Sequence, residues 1–110
     1  MNLKEIGYVG ECLAAELLER KGYRVLSRNY RCTYGEIDII AAYGRTIAFV
    51  EVKTRLTDGY GEGRWAVDAE KRKRIKAAAG HYLTQSSAAY KDVDFQLVEI
   101  QLAHMTDLEF

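Results

Sequence analysis

The residues best suited to chemistry lie between Gly35 and Arg55. They read Gly-Glu-Ile-Asp-Ile-Ile and then, after a short turn, Phe-Val-Glu-Val-Lys-Thr-Arg. These are two apolar strand-like runs with Glu36, Asp38, Glu51 and Lys53 set into them. Acids and lysine are depleted in strands, so their presence asks for a reason. Asp38 and Glu51 are 13 positions apart (51 − 38), an odd offset that brings them opposite only across a hairpin loop of even length. Tyr43-Gly44-Arg45-Thr46 supplies that loop. Gly44 as first central residue suits a two-residue type II′ turn, whose twist matches the flanking strands. With Tyr43 opposite Thr46, Asp38 opposes Glu51 and Glu36 opposes Lys53.

Directly opposed residues share a face of a sheet. The four charges therefore share one face at the end away from the turn, and that face becomes apolar through Ile40, Ala42, Ile47 and Phe49. The other face carries Ile37, Ile39, Ala48, Val50 and Val52. Apolar residues on both faces predict interior strands. Two opposed carboxylates with Cβ atoms roughly 4.5–5.5 Å apart repel each other. A proton shared between them would relieve this. So would a hard divalent cation, which takes one or two carboxylates together with water and phosphate oxygens. An exposed patch with a Glu36–Lys53 cross-strand pair explains two of the four charges and leaves Asp38 and Glu51 unexplained. A bulge or an odd loop would send the two acids to opposite faces.

The elements that must position these groups follow in a simple order. Residues 5–21 form a helix, with Ile6, Val9, Gly10, Leu13, Ala14 and Leu17 at helical spacing, and Gly22 ends it. Residues 23–31 form a first strand, and the hairpin supplies the second and third. Residues 56–65, with Gly59, Gly61 and Gly63, read as a loop. Residues 67–85 form a second helix with Ile75, Ala78, Ala79, Tyr82 and Leu83 on its apolar stripe. A polar loop, 86–92, leads to a fourth strand, 93–102, and 104–110 reads as a tail. The fourth strand's alternation changes phase between Leu97 and Val98, which predicts burial on both faces or a bulge. The order α-β-β-β-α-β predicts an α/β fold, a mixed sheet flanked by helices with a parallel crossover between strands three and four.

One hundred and ten residues fit a single domain, 1–110, able to bury a core without staples. Cys12 and Cys32 are the only cysteines, and they read as free thiols. No apolar run approaches the ~20 residues of a membrane span, and the N-terminus lacks a signal peptide's apolar core. The chain reads as cytoplasmic, with no membrane partner. Sixteen basic residues balance sixteen acidic ones, so nucleic-acid affinity would have to come from local clustering.

The acid-strand pattern resembles the PD-(D/E)XK nuclease superfamily: Asp38 matches its first acid and Glu51-Val52-Lys53 its Glu-x-Lys, although the chain has no proline at all. A closer resemblance spans nearly the whole chain. Gly7-Tyr8-Val9-Gly10-Glu11, Gly22-Tyr23-Arg24-Val25-Leu26, Arg28-Asn29-Tyr30-Arg31, Gly35-Glu36-Ile37-Asp38 and Phe49-Val50-Glu51-Val52-Lys53-Thr54-Arg55 follow in order. Together they resemble the bacterial YraN-like family of uncharacterised proteins, which is similar to archaeal Holliday-junction resolvases. The chain departs from that family after Tyr60-Gly61, where Glu62-Gly63-Arg64-Trp65 stands in place of a usual proline. The resemblance implies a restriction-endonuclease-like core and a metal-dependent nuclease, but the family itself has no assigned reaction.

On that resemblance Asp38, Glu51 and the Val52 carbonyl would hold Mg²⁺ or Mn²⁺, with Glu11 completing the ligand set or acting through water. Lys53 would position water or stabilise charge at phosphorus. Glu11 sits at the edge of the first helix's apolar stripe, where periodicity alone does not separate it from Glu16. Glu36 either adds a carboxylate to the site or pairs with Lys53. Lys71, Arg72, Lys73, Arg74 and Lys76 open the second helix. They could contact phosphates, the main source of non-specific nucleic-acid affinity, or form a solvated face. Lys71 is best placed to reach the acids because it lies one turn before Ile75. Arg55, with Arg28, Arg31 and Arg64, could widen a basic rim, and Tyr30, Tyr34, Tyr60 and Trp65 could stack bases or simply pack. His81 and His104 read as structural. The implied partner is nucleic acid, DNA ahead of RNA; the resemblance also allows a homodimer, although no segment reads as its interface. The rivals are a catalytically silent nucleic-acid-binding module of the same fold, and a scaffold whose acids are structural.

Overall fold

Helix α1 (Leu3–Arg20) opens on a reciprocal cap, in which the Asn2 side chain accepts from the Glu5 N–H and the Glu5 carboxylate accepts from the Asn2 N–H. The helix stops at Lys21, immediately before Gly22. Three strands follow, β1 (Arg24–Cys32), β2 (Gly35–Tyr43) and β3 (Thr46–Thr57), then helix α2 (Ala69–Gln85) and strand β4 (Asp92–Ala103). The computed structural model describes residues 2–57 and 68–103. The expected glycine-rich loop beyond Thr57 and the expected tail lie outside the described residues, and with them Tyr60, Arg64, Trp65 and His104. Leu56 and Thr57, expected in that loop, belong to β3 and pair with Leu102 and Ala103 of β4.

The four strands form one sheet in the order β1-β2-β3-β4. The first two pairings are antiparallel and β3–β4 is parallel, as a helix-containing crossover requires. The hairpin register places Tyr43 opposite Thr46 and Ile39 opposite Val50. Gly44 has φ +59 while Arg45 is not among the positive-φ residues, the combination a type II′ turn needs. The sheet is mixed and the element order is α-β-β-β-α-β, in agreement with the sequence.

Each face of the sheet holds one core. On the α1 side, Ala14, Ala15 and Leu18 pack with Ile39, Ala41, Ala48 and Val50. On the α2 side, Ile75, Ala78 and Ala79 pack with Ile37, Ile40, Ile47 and Phe49. Burying side chains the size of Leu18 or Phe49 contributes about 1.5–3 kcal/mol each. Gly10 lets α1 lie close on β3: a Cβ at that position would fall 1.7 Å from Thr54 Oγ1. Gly7 has no such neighbour.

Three expectations need correcting. The buried stripe of α1 is rotated, so that Ala15 and Leu18 face the sheet while Leu13 and Leu17 stay about 40% exposed; both sets fit a helical period, and only the sheet's position decides between them. Ile37 packs on the α2 side with Ile40, not on the α1 side with Ile39. The break falls at Asp38, opposite the stretch of β1 where Asn29 adopts φ +54 between the Arg28↔Ile39 and Tyr30↔Ile37 pairs. Finally, β4 pairs with β3 in one unbroken register without a bulge. Val98 and Ile100 pack against the α1-side core, whereas Val93, Phe95 and Leu97 remain 42–46% exposed. The phase change therefore reflects one partly buried row and one more exposed row on an edge strand.

Candidate functional site

The paired part of β2 and β3 ends at Ile39 and Val50. Asp38 and Glu51 occupy the next position on each strand, and there a side chain replaces the ladder: the Val52 N–H donates to Asp38 Oδ2 at 2.8 Å. A strand residue presents its N–H and C=O on one edge. The Val52 carbonyl therefore also emerges on the Asp38 side of β3.

Asp38, Glu51 and Glu36 line one cavity of about 380 Å³, walled on the α2 side by Lys71, Arg74 and Ile75. The two acids that the hairpin register opposes thus converge instead of diverging across the sheet. Lys71 Nζ lies 2.5 Å from Glu51 Oε2, while the Glu51 side chain is only 11% exposed. Burial pushes the Glu51 carboxyl above its ordinary range, the Lys71 hydrogen bond pulls it down, and the Asp38 charge pushes it up again. The same Glu51 contact raises the Lys71 ammonium. Lys71 is held from the other direction as well, because its backbone N–H donates to the Asp68 side chain, the N-cap of α2.

Glu11 approaches from α1. Its side chain is 20% exposed and faces Arg28 Nη2 at 3.9 Å. Burial raises its carboxyl first and the Asp38 charge adds to this, while a hydrogen bond from Asn29 and the Arg28 charge work against them. Asp38 thus has two acids near it, Glu51 of the neighbouring strand and Glu11 of α1.

The other sequence candidates divide. Glu36 takes the first of its two expected roles in lining the cavity, and it also opposes Arg31 on β1 and pairs with it at 3.7 Å on the exposed rim. Lys53 is exposed and is not among the described residues lining the cavity. Arg55 pairs with Glu99 of β4 at 3.2 Å. Arg74 lines the cavity and faces Glu70 at 3.8 Å, whereas the exposed Lys73 does not reach the lining. Tyr30 packs edge-on against Tyr82 and its hydroxyl meets His81 Nδ1 at 2.7 Å, so it and His81 are packing partners.

Among the described residues no three Asp, Glu, His or Cys side chains gather into a metal-binding group. That donor set does not suit zinc, which takes three or four protein ligands. It does suit Mg²⁺ or Mn²⁺ held by one or two carboxylates, with water and substrate phosphate supplying the rest. Asn29 and Asp68 are site residues that the sequence did not single out. Asp68 had a signal, an acid three residues before Lys71 at the start of an apolar-periodic run. Asn29 had only its residue type, one of the few that tolerate positive φ. No helix among the described residues is long and apolar enough to cross a membrane.

A family model described as uncharacterised protein family UPF0102 matches residues 10–100. A UPF0102 protein of Moorella thermoacetica is 43% identical over 102 residues, covering 93% of this chain and 85% of the relative. One of Mycolicibacterium vanbaalenii is 45% identical over 98 residues, 89% of this chain and 81% of its own. One of Syntrophus aciditrophicus is 46% identical over 96 residues, covering 87% and 76% respectively.

Proposed function

The chain belongs to uncharacterised protein family UPF0102, whose description names no reaction, and on the geometry of its own residues we propose that it is a metal-dependent nuclease. It hydrolyses phosphodiester bonds in nucleic acid, DNA ahead of RNA, with branched DNA among the substrates to test. The observation that carries this reading is the convergence of Asp38 and Glu51 on one cavity walled by α2 cations.

Asp38, Glu51 and the Val52 carbonyl are the groups that would hold Mg²⁺ or Mn²⁺. The chemistry such an ion supplies is polarisation of a phosphate oxygen and a lowered pKa of bound water. The Val52 N–H fixes the Asp38 carboxylate, so the acid is oriented before any ligand arrives. Lys71 and Arg74 present positive charge to the same cavity, where charge building up on a phosphate is best stabilised. They are better placed for that than the exposed Lys53. Glu11 adds negative charge close to Asp38, whose own charge raises the Glu11 carboxyl.

The test is cleavage of branched, duplex and single-stranded DNA and of RNA with Mg²⁺, Mn²⁺ or EDTA. Cleavage that requires metal and vanishes in Asp38→Ala and in Glu51→Gln supports the assignment; cleavage that survives both substitutions overturns it. One observation favours a silent nucleic-acid-binding module instead: Lys71 already neutralises Glu51. That reading predicts salt-sensitive binding and no product with any divalent ion.

A further inference from the structure

Lys71 stands in an electrostatically awkward place. It is in the first turn of α2, where the helix dipole disfavours a cation. What offsets this is its contact with Glu51, at 2.5 Å. The two partners are not equally free to leave. The Lys71 side chain is 49% exposed and Glu51 only 11%. The ammonium can swing into water with its hydration intact, whereas the carboxylate stays buried and would be costly to leave uncompensated. The lysine also lines the cavity shared by Glu51 and Asp38.

Resting on the metal-dependent reading above, we propose that Lys71 is a built-in counter-cation that competes with the divalent metal for Glu51, so that metal binding and the Lys71–Glu51 pair exclude each other. The lysine neutralises the acid in the metal-free protein. A divalent ion entering the cavity brings two positive charges against the same carboxylate, and the mobile member of the pair is expelled. The pair thereby sets a threshold: weak or scarce cations do not displace it. Released, Lys71 remains beside the cavity with Arg74, where an anionic phosphate is its next partner.

The experiment is calorimetric titration of the full chain with MnCl₂, comparing wild type, Lys71→Met and Lys76→Met. Methionine keeps an unbranched apolar stem and removes the charge. Lys76 lies on the same helix but over the Phe95 ring, 6.0 Å from its centroid, and so reports the effect of one lost charge elsewhere. Lys71→Met is expected to bind Mn²⁺ at least tenfold more tightly than wild type, with Lys76→Met within twofold. Binding detected only in Lys71→Met gives the same support. Unchanged or weaker binding in Lys71→Met, or equal tightening in Lys76→Met, overturns the competition and leaves the metal-dependent reading standing. No binding in any of the three removes that reading and the competition with it. Side-chain NMR of the wild type guards against a misfolded variant: the Lys71 methylene and ammonium resonances should shift on Mg²⁺ saturation, and resonances that stay fixed while Mg²⁺ binds overturn the competition.

Discussion

The Val52 amide and the Asp38 carboxylate meet at 2.8 Å where β2 and β3 have stopped pairing as a ladder. A side chain thus does the work of a backbone carbonyl, and the strands open without leaving that N–H unsatisfied.

Removing the acceptor should cost stability as well as function. Asp38→Ala orphans the Val52 N–H, and an unsatisfied, partly buried donor costs about 1–3 kcal/mol. Asp38→Asn retains an oxygen acceptor and should recover most of that loss in urea denaturation while still failing in metal-dependent cleavage. Equal destabilisation by the two substitutions would show that the bond contributes nothing to the fold.

Glu11 predicts a pH dependence. Its carboxyl is raised from 4.5, by burial first and then by Asp38. A raised acid favours the folded state most when protonated. Its contribution is fully present below the unfolded value and is lost as pH rises through the folded one. Glu11→Gln should therefore flatten the stability profile above pH 4.5 and raise the urea midpoint at neutral pH. A lower midpoint at neutral pH would mean that the Arg28 and Asn29 contacts outweigh the burial.

Gly10 sets how closely α1 sits on β3. A Cβ would meet Thr54 Oγ1 at 1.7 Å, and overpacking of this kind costs about 1–3 kcal/mol. Thr54→Ala in the Gly10→Ala background should return part of the loss, and thermal melts of the four proteins in a double-mutant cycle measure the coupling. Additive effects would place the strain elsewhere.

Arg74 should contribute to nucleic-acid affinity through charge. If it contacts one phosphate, Arg74→Ala lowers the slope of log affinity against log salt by about 1, with little change in sequence preference. Fluorescence anisotropy with a labelled oligonucleotide at several salt concentrations checks this. An unchanged slope would assign Arg74 to its Glu70 pair alone.

Much of the fold was legible because the hairpin constrains itself. Once Gly44 fixes a two-residue turn, the pairs up to Ile39↔Val50 follow from counting. Counting fails at Asp38, because the positive φ of Asn29 on the neighbouring strand interrupts the alternation, and no rule about β2 alone contains that fact. It also does not reveal that Glu36 faces Arg31 of β1 while lining the cavity, since that contact depends on a strand outside the hairpin. The rotation of α1 was illegible for a different reason: Leu13, Leu17 and Leu18 are equally apolar, and the small residues Gly10 and Ala14 decide which row can approach the sheet. Lys71 was legible as the cation one turn ahead of Ile75, and its contact with Glu51 depends on the placement of α2 over β2 and β3.

Asp38 receives influence from α1 through Glu11 and shares its cavity with α2 through Lys71 and Arg74. Neither helix alone can complete that arrangement. A chain that has formed its hairpin but docked only one of the two layers holds the right residues in the wrong electrical environment. The proposed metal site therefore depends on both layers being docked, because each supplies part of its charge.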